Sequence, residues 1–349
     1  MRRRLDAGAA SPLDGLRWFE DFSDTVRLDG VPDWLLVTDD SASLLLPMMI
    51  ETRRRALLRW RTLRSLSNWY SMRWRPLAGA ALADDAASMA PGSPWTARAW
   101  DAVAGALRAR GLPRVVLEPV PEAEDWLSTA ARALERAGFR VRQEEAFGNW
   151  VGHAEGLDFE AWFARRPSQV RNTWRRRRAQ LARQGRMDIR ILDGRQDGPQ
   201  DVEAALDAYE RVYARSWKPV ESDPAFVRAL ARRAATQGAL RLGVLEMDGT
   251  PVAAQLWLRD GDSTLIYKLA YDEAWKPFSP GLALTVEMFR HAIDVDRARR
   301  LDFGSGDDPY KRDWMDERRR CVRLVADDPR HPLGLLLAAR ESWRHRRSL

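Results

Sequence analysis

The sequence predicts a mixed α/β fold arranged in two domains, and three observations lead to that prediction. Strand and helix signals alternate through both halves of the chain. In the second half, three strand-like runs are separated by Asp248-Gly249 and Asp260-Gly261, and Asp-Gly between such runs is the strongest short hairpin signal. A length of 349 residues, 45% of them hydrophobic, is sufficient for two separate cores.

The first half is predicted to begin with strands and to continue with alternating helices and strands. The strands are expected over residues 34–38, 43–51, 66–74, 115–118 and 139–147. The helices are expected over residues 94–110 and 122–137, each ending before a glycine. We place the domain boundary after residue 152, so that domains span 1–152 and 153–330 and a basic tail spans 331–349.

The second half is predicted to follow the order strand, two helices, three-stranded meander, helix and strand. A helix over 168–184, with Ser168 as its N-cap, precedes this series. The series itself is expected as a strand at 187–192, helices at 202–217 and 224–237, strands at 240–246, 251–258 and 263–271, a helix from Ser279 to 295, and a strand at 301–303.

The helix after the meander has a well-marked start. Ser279 can cap it, Pro280 suits its first position, and Gly281 leaves room beside the backbone. A strand–helix–strand connection normally returns parallel, which places this helix start beside the carboxyl ends of the two strands. We expect those strands to diverge there and to form a phosphate site, to which Lys276 adds a positive charge.

Basic residues are distributed unevenly. Of 57 basic side chains only four are lysines, all between positions 218 and 311, which points to a need for compact ammonium groups in that segment. A net charge of +7 favours polyanionic partners. Arg171, Arg175 and Arg178 have the three-to-four spacing that puts them on one face of the predicted helix over 168–184, either as a solvated face or as a grip for a polyanion.

Several function classes are excluded by missing motifs. The sequence has no Gly-x-Ser-x-Gly, its four histidines lack metal-ligand spacing, and Gly304-Ser305-Gly306 is not followed by the third glycine of a dinucleotide site. Dehydrogenase, kinase and metallohydrolase functions are therefore discarded, and no metal is expected. The single cysteine, Cys321, and the lack of a long apolar run or leader favour a cytoplasmic protein without a transmembrane segment.

This order of elements resembles the GNAT acyltransferase superfamily, particularly its FemAB-like and CelD-like branch. The resemblance covers residues 168–325 and includes the basic helix, Val252-Ala253-Ala254-Gln255, Ser279-Pro280-Gly281, and Asp302-Phe303-Gly304 followed by Tyr310-Lys311. It implies tandem GNAT-like domains with a degenerate N-terminal copy. It also implies an N-acyltransferase that moves an acyl group from acyl-CoA to an amine of a small molecule or of a cell-envelope or polysaccharide precursor.

The resemblance and the predicted topology assign candidate site residues. Lys276, Ser279 and Gly281 are expected to bind the diphosphate of acyl-CoA. Asp302, with Asp307 as an alternative, is the expected general base; Tyr310 would protonate the leaving thiolate, and Lys311 would hold a phosphate or carboxylate. The acceptor is expected to contact residues on the meander, the basic helix and the segment between them, namely Gln255, Lys268, Trp217, Trp174 and Arg171.

Two departures from the family pattern leave alternatives open. Residues 276–281 contain one glycine where GNAT pyrophosphate loops have two, which leaves the acyl chain of the donor undefined. The helical hairpin of tRNA-dependent FemAB ligases has no counterpart, because two ordinary helices fill residues 202–237. The alternatives are an aminoacyl-tRNA-dependent transferase or RNA-binding module, and a non-catalytic scaffold of exopolysaccharide synthesis.

Overall fold

The computed structural model describes residues 11–13, 15–40, 42–55, 58–80 and 93–347, which form two compact units. The first unit comprises the described residues up to Gly148 together with those from Arg320 onward. The second unit is continuous, from Asn149 to Arg319. The first unit is therefore built from two separate stretches of sequence.

The helices and strands alternate along the chain. The strands are β1 (Gly30–Thr38), β2 (Ala42–Arg55), β3 (Leu58–Ser65), β4 (Leu77–Ala80), β5 (Arg114–Pro121), β6 (Arg140–His153), β7 (Met187–Leu192), β8 (Leu240–Met247), β9 (Thr250–Asp260), β10 (Ser263–Tyr271), β11 (Arg300–Ser305) and β12 (Glu317–Asp327). The α-helices are α1 (Leu16–Thr25), α2 (Pro94–Ala109), α3 (Asp125–Arg136), α4 (Phe159–Ala164), α5 (Ser168–Leu181), α6 (Pro199–Ala214), α7 (Pro224–Thr236), α8 (Pro280–Arg290) and α9 (Pro332–Arg347).

The sheet of the first unit has the strand order β1–β2–β3–β5–β12, with β4 attached to β2. The first three strands are antiparallel neighbours, and β5 then runs parallel to β3 after the connection through α2. The helix α1 buries Leu16, Phe19 and Phe22, whose spacing of three residues puts them on one helix face. The predicted domain boundary falls within β6, the strand in which the first unit passes into the second.

The predicted strand over residues 66–74 is wrong. This segment consists of turns and irregular backbone, and the third strand lies earlier, at 58–65. Its apolar residues are buried, as Leu66 and Trp74 show, but its polar groups make single hydrogen bonds instead of a strand ladder. The Nε1 of Trp74, for example, donates to the carbonyl of Pro47 at 2.9 Å. A buried loop of this kind has the composition of a strand without its hydrogen bonding.

The sheet of the second unit has the order β11–β10–β9–β8–β7, and the last residues of β6 pair with β11. Strands β7 to β10 are antiparallel neighbours, while β10 and β11 are parallel and connected by α8. The predicted meander and the predicted parallel crossover are both confirmed. The Asp-Gly turns are tight, with positive φ at Asp248, Gly249 and Gly261.

The core beside α8 is built around Phe289. The centroid of its ring lies 4.8 Å from the ring centroid of Trp162, 5.0 Å from that of Trp257 and 5.3 Å from that of Trp314. Gly243 on β8 faces the same helix, and a Cβ there would lie 2.5 Å from the sulfur of Met288. Close approach of helix and sheet therefore requires glycine at this position, and the large aromatic area removed from water anchors α8 on the sheet.

Candidate active site

The strands β10 and β11 separate after a short ladder. They pair only at Ser263–Arg300, Thr264–Leu301 and Leu265–Asp302. Strand β10 continues to Tyr271 and β11 continues to Ser305 beyond the last of these pairs. The predicted divergence is therefore present. We call the space between residues 266–271 and 303–305 the β10–β11 cleft.

The start of α8 differs from the predicted capped start. Ser279 is left-handed, with φ 55°, and its side chain makes no capping hydrogen bond. Its carbonyl instead accepts from the amides of Leu282 and Ala283 at 3.1 and 3.3 Å. A Cβ on Gly281 would lie 2.9 Å from Cδ1 of Tyr271, so packing against β10 already requires glycine there.

Gln255 fixes the start of α8 to the sheet. Its Nε2 donates to the carbonyl of Gly281 at 3.1 Å and to Oγ1 of Thr285 at 2.7 Å, and its Oε1 accepts from Nε1 of Trp257 at 2.9 Å. The side chain is 1% exposed. Both donors and the acceptor are thus engaged within the protein, so Gln255 supports α8 instead of contacting an acceptor as predicted.

Positive charge lies beside the turn that precedes α8. Lys276 is exposed and its Nζ lies 2.7 Å from Oε1 of Glu273, a contact that raises the pKa of Lys276. Nη1 of Arg177 on α5 donates to the carbonyl of Pro277 at 2.6 Å. The basic helix therefore runs next to the predicted diphosphate site.

Arg171 on the same helix donates from Nε to the carbonyl of Arg166 at 3.2 Å. The N-cap residue of α5 is Pro167, which corrects the prediction of Ser168.

Lys311 is buried in the turn after β11. Its Nζ donates to the carbonyls of Phe303, Ser305 and Gly306 at 3.3, 2.7 and 3.2 Å and lies 3.5 Å from Oδ2 of Asp308. Burial lowers the pKa of this lysine, and the neighbouring carboxylates oppose that shift. Three carbonyls occupy its three donors, so its hydrogen bonds hold the turn together.

The two predicted bases have different surroundings. Asp302 accepts from the amide of Gly304 at 2.7 Å and from Nδ2 of Asn149 at 3.2 Å. Asp307 accepts from Arg318 at 2.8 Å and from Nε1 of Trp150 at 2.7 Å, and these hydrogen bonds, that from Arg318 first, lower the pKa of Asp307. A carboxylate stabilised in this way is a weak base, which disfavours Asp307 for proton abstraction.

Tyr310 has the properties of a proton donor. Its ring packs edge-on against Phe303 with 5.6 Å between centroids. Burial, reinforced by Asp308, raises the pKa of its hydroxyl to about 12, although the residue as a whole is 46% exposed. The phenol therefore keeps its proton at neutral pH.

A β-bulge in β10 changes which residues share a face. The register shifts between Ile266 and Lys268, so Ile266 and Leu269 both pack against the core beside α8. Lys268 points to the other face, where its Nζ pairs with Glu221 and lies 5.5 Å from the ring centroid of Tyr213. Gln255 and Lys268, predicted to share an acceptor site, thus lie on opposite faces of the sheet.

Of the two predicted tryptophan walls, only Trp217 lies beside the lysines. It is 47% exposed and its ring is 4.4 Å from that of Tyr271, the last residue of β10. Trp174 instead packs edge-on against Phe163 at 5.3 Å and belongs to the core beside α8. An aromatic residue at helical spacing is ordinarily a core residue, and Trp174 follows that rule.

Lys218 belongs to the same region and was not predicted. Its Nζ lies 5.8 Å from the ring centroid of Tyr213 and 5.7 Å from that of Trp217. Burial, followed by the charge of Lys268, lowers the pKa of Lys218 to about 8. The scarcity of lysine in the chain was the signal that could have identified it.

The described part of the chain contains neither a metal-binding cluster nor a membrane-spanning helix. Among these residues, no group of histidine, cysteine or carboxylate side chains has the arrangement of a metal site. No helix within the described ranges has the length and apolar character needed to cross a membrane. A pocket of about 470 Å³ lies at the other end of α8, lined by residues of α5, β7 and the C-terminal part of that helix, and it contains none of the predicted site residues.

Comparison with known proteins shows which family one segment of the chain matches and which solved structures share the fold. Residues 168–312 match the profile of the family described as acetyltransferase (GNAT) domain. No curated protein matches the sequence. Among solved structures, FemX is similar over 96% of this chain and 98% of its own, with a TM-score of 0.58 and 10% identity.

Two further solved structures share the fold along almost the whole chain. The C-terminal domain (DUF2156) of a putative lysylphosphatidylglycerol synthetase from Agrobacterium fabrum has a TM-score of 0.54 and 14% identity, with 93% of this chain and 95% of that chain covered. L-PGS from Bacillus licheniformis has a TM-score of 0.52 and 12% identity, with coverage of 94% and 97%. The family match assigns residues 168–312 to a GNAT acetyltransferase domain, and the diverging parallel strands and the α8 start both lie within this segment. The solved structures show that the fold is shared along almost the whole chain.

Proposed function

We propose that the chain is a cytoplasmic N-acyltransferase of the FemAB-like and CelD-like branch. It would transfer an acyl group from acyl-CoA to the amine of a small molecule or of a cell-envelope or polysaccharide precursor. The observation that carries this proposal is the β10–β11 cleft, because the ladder ends at Leu265–Asp302 beside the start of α8. An extended thioester arm can bind between strands that have separated.

In the proposed reaction the acceptor amine attacks the thioester carbonyl directly, so no covalent intermediate is required. Asp302 is the proposed base, because it lies in β11 at the last residue pair of the ladder, where the cleft begins. Tyr310, with its pKa raised to about 12, is the proposed donor of a proton to the departing thiolate. Lys311 ties the end of β11, the strand of Asp302, to the turn that carries Tyr310 through its three carbonyl contacts.

The proposed donor site uses Lys276, Ser279 and Gly281, with α5 beside them. The contact between Arg177 and Pro277 supports this assignment, because it brings the basic helix next to the start of α8. A helix start and neighbouring cations attract a diphosphate. The length of the acyl chain is left to experiment.

The test is an equilibrium titration with acetyl-CoA and longer acyl-CoA thioesters, followed by measurement of thiol release over a panel of amines. We expect saturable binding and amine-dependent thiol release. Replacement of Lys276 by Glu should weaken thioester binding more than it lowers turnover, because it puts a negative charge beside the diphosphate. Absence of binding to every thioester would remove the proposal, and equal affinity in the Lys276→Glu protein would move the donor site elsewhere.

Aminoacyl transfer is the second candidate, favoured by the full-length fold likeness to FemX and to the domain of a putative lysylphosphatidylglycerol synthetase. Against it, α6 and α7 account for most of the chain between β7 and β8 and leave no room for a long hairpin insertion. Binding of aminoacyl-tRNA with a steep salt dependence would favour this candidate. A scaffold role would be favoured if Asp302→Asn and Lys311→Ala left the cellular activity unchanged.

A further inference from the structure

Three of the four lysines of the chain lie near enough to one another in the second unit for their charges to interact. Lys268 reaches this region from β10, Lys311 from the turn after β11, and Lys218 from the segment after α6. The charges of both other lysines act on Lys218. In a chain where nearly every basic residue is arginine, this concentration of compact ammonium groups indicates a shared purpose.

Two of the three ammonium groups already have partners. Lys268 pairs with Glu221 and also experiences the charge of Asp223, while Lys311 is bound by three carbonyls and faces Asp308. The Lys218 ammonium has no hydrogen bond or ion pair within the described part of the chain. Its near neighbours are the rings of Tyr213 and Trp217, and Glu221 and Asp308 act on it only at longer range.

Lys218 is therefore near carboxylates but forms no direct ion pair with any of them in the described part of the chain. Burial disfavours an ammonium group unless a negative charge or hydrogen bonds replace the lost water. Cation–π contacts at 5.7–5.8 Å offset only part of this cost. A bound carboxylate or phosphate would remove it. Trp217, half exposed beside the end of β10, leaves the region accessible to a ligand from solvent.

We propose that Lys218 binds an anionic group of the acceptor, so that the substrate is an amine that also carries a carboxylate or a phosphate. Lys268, in an ion pair with Glu221, lies beside this subsite, and the rings of Tyr213 and Trp217 line it. The inference rests on the proposed N-acyltransferase function and narrows its acceptor class. Neutral amines of the same size would bind without this contact.

The first test measures anion binding without turnover. Lysine labelling by trinitrobenzenesulfonate at pH 8, followed by peptide mass spectrometry, reports the reactivity of Lys218. Inorganic phosphate or acetate should slow its labelling by about fivefold or more relative to sodium chloride at equal ionic strength, because a bound anion favours the unreactive ammonium form. An unrelated lysine-containing peptide added to the same reaction is the reference, and its labelling rate should not change. Protection by phosphate alone or acetate alone identifies the anionic group, and protection by neither overturns the inference.

The second test compares paired amines as acceptors with acetyl-CoA as donor. Phosphoethanolamine against ethanolamine and glycine against methylamine differ in their anionic group. We expect a preference of about tenfold for the anionic member of at least one pair, equivalent to one well-placed charge contact. Lys218→Met should abolish the preference. Arg211→Met, which removes an exposed charge from α6, is the matched control and should retain it.

Lys218→Arg separates charge from folding effects. In the unchanged protein the preference should decline above a pH of about 8, where Lys218 loses its proton, whereas arginine stays charged and should keep the preference at higher pH. Failure of every amine to release thiol would overturn the proposed function, and the labelling test would still decide the subsite. Thiol release without any anionic preference would overturn the subsite alone.

Discussion

In the described part of the chain, two parallel strand pairs are joined through a helix: β3 and β5 in the first unit, with β4 and α2 between them in sequence, and β10 and β11 in the second unit, with α8 between them. We call these connections the first and second crossover. Both ladders are short, with two residue pairs in the first crossover and three in the second. In the first, serine hydroxyls fill the gap beyond the ladder: Ser65 Oγ accepts from the amide of Glu118 at 2.6 Å, and Ser67 Oγ donates to the carbonyl of Glu118 at 2.7 Å.

The starts of α2 and α8 also differ, in whether a side chain caps them. Ser93 Oγ accepts from the amide of Thr96 at the start of α2, and Trp95 beside it is buried. Ser279 makes no such cap at the start of α8. In the first crossover, serine hydroxyls bridge the strands beyond the ladder and cap the helix, whereas in the second the strands diverge and no side chain caps the helix. The comparison teaches that one topology serves as structure in one unit and as a candidate site in the other.

The largest expected effect concerns the turn that carries the site in the second crossover. Lys311→Met should lower the free energy of unfolding by about 2–4 kcal/mol, because buried carbonyls lose their donors. Urea denaturation at constant m-value measures this loss. Lys276→Met, an exposed lysine, should leave the urea midpoint unchanged. An unchanged midpoint for the Lys311 variant would contradict its structural role.

The next prediction tests the proposed proton donor of the second crossover. Tyr310→Phe should lower kcat about 50-fold and leave donor affinity unchanged, because the thiolate departs without a proton. An aryl thioester, whose thiol needs no protonation to depart, should reduce the difference between the two proteins. Equal rates for both proteins with acetyl-CoA would eliminate Tyr310 as the acid.

A smaller effect tests the first crossover. Ser65→Ala should lower the free energy of unfolding by about 1–2 kcal/mol, because the buried amide of Glu118 loses its acceptor. Turnover per folded molecule should not change. Thermal or urea unfolding and active-site titration together measure both quantities. A change in turnover would break the comparison, because it would give the first crossover a part in the reaction.

The smallest effect is a pH dependence of stability. The pKa of Lys218 is about 8 in the folded chain against 10.5 ordinarily, so between these values the unfolded chain binds more protons. Stability should therefore rise with pH over this window, by about 1 kcal/mol relative to Lys218→Met. Urea unfolding of both proteins from pH 7.5 to 10.5 checks the sign. Parallel curves would show that burial does not perturb Lys218.

The sequence predicted the parts of the second unit that depend on local chemistry. The Asp-Gly turns fixed the meander, and Ser279-Pro280 marked the start of α8, because turn residues act through their own backbone preferences. The bulge at β10 was not predictable, since it arises from pairing with β9 and reverses the face of Lys268. The role of Lys311 was hidden for a similar reason: its partners are backbone carbonyls, which look alike in any sequence.

The discontinuity of the first unit has a consequence for synthesis of the chain. Strand β12 pairs with β5, in a register that runs from Cys321 opposite Pro121 to Asp327 opposite Arg114. Asp327 also forms ion pairs with Arg114 and Arg142. The ribosome therefore synthesises every residue of the second unit before it synthesises the part of β12 that completes the first unit. The half that is translated first is completed last, and until then the edge of β5 needs protection from other nascent chains.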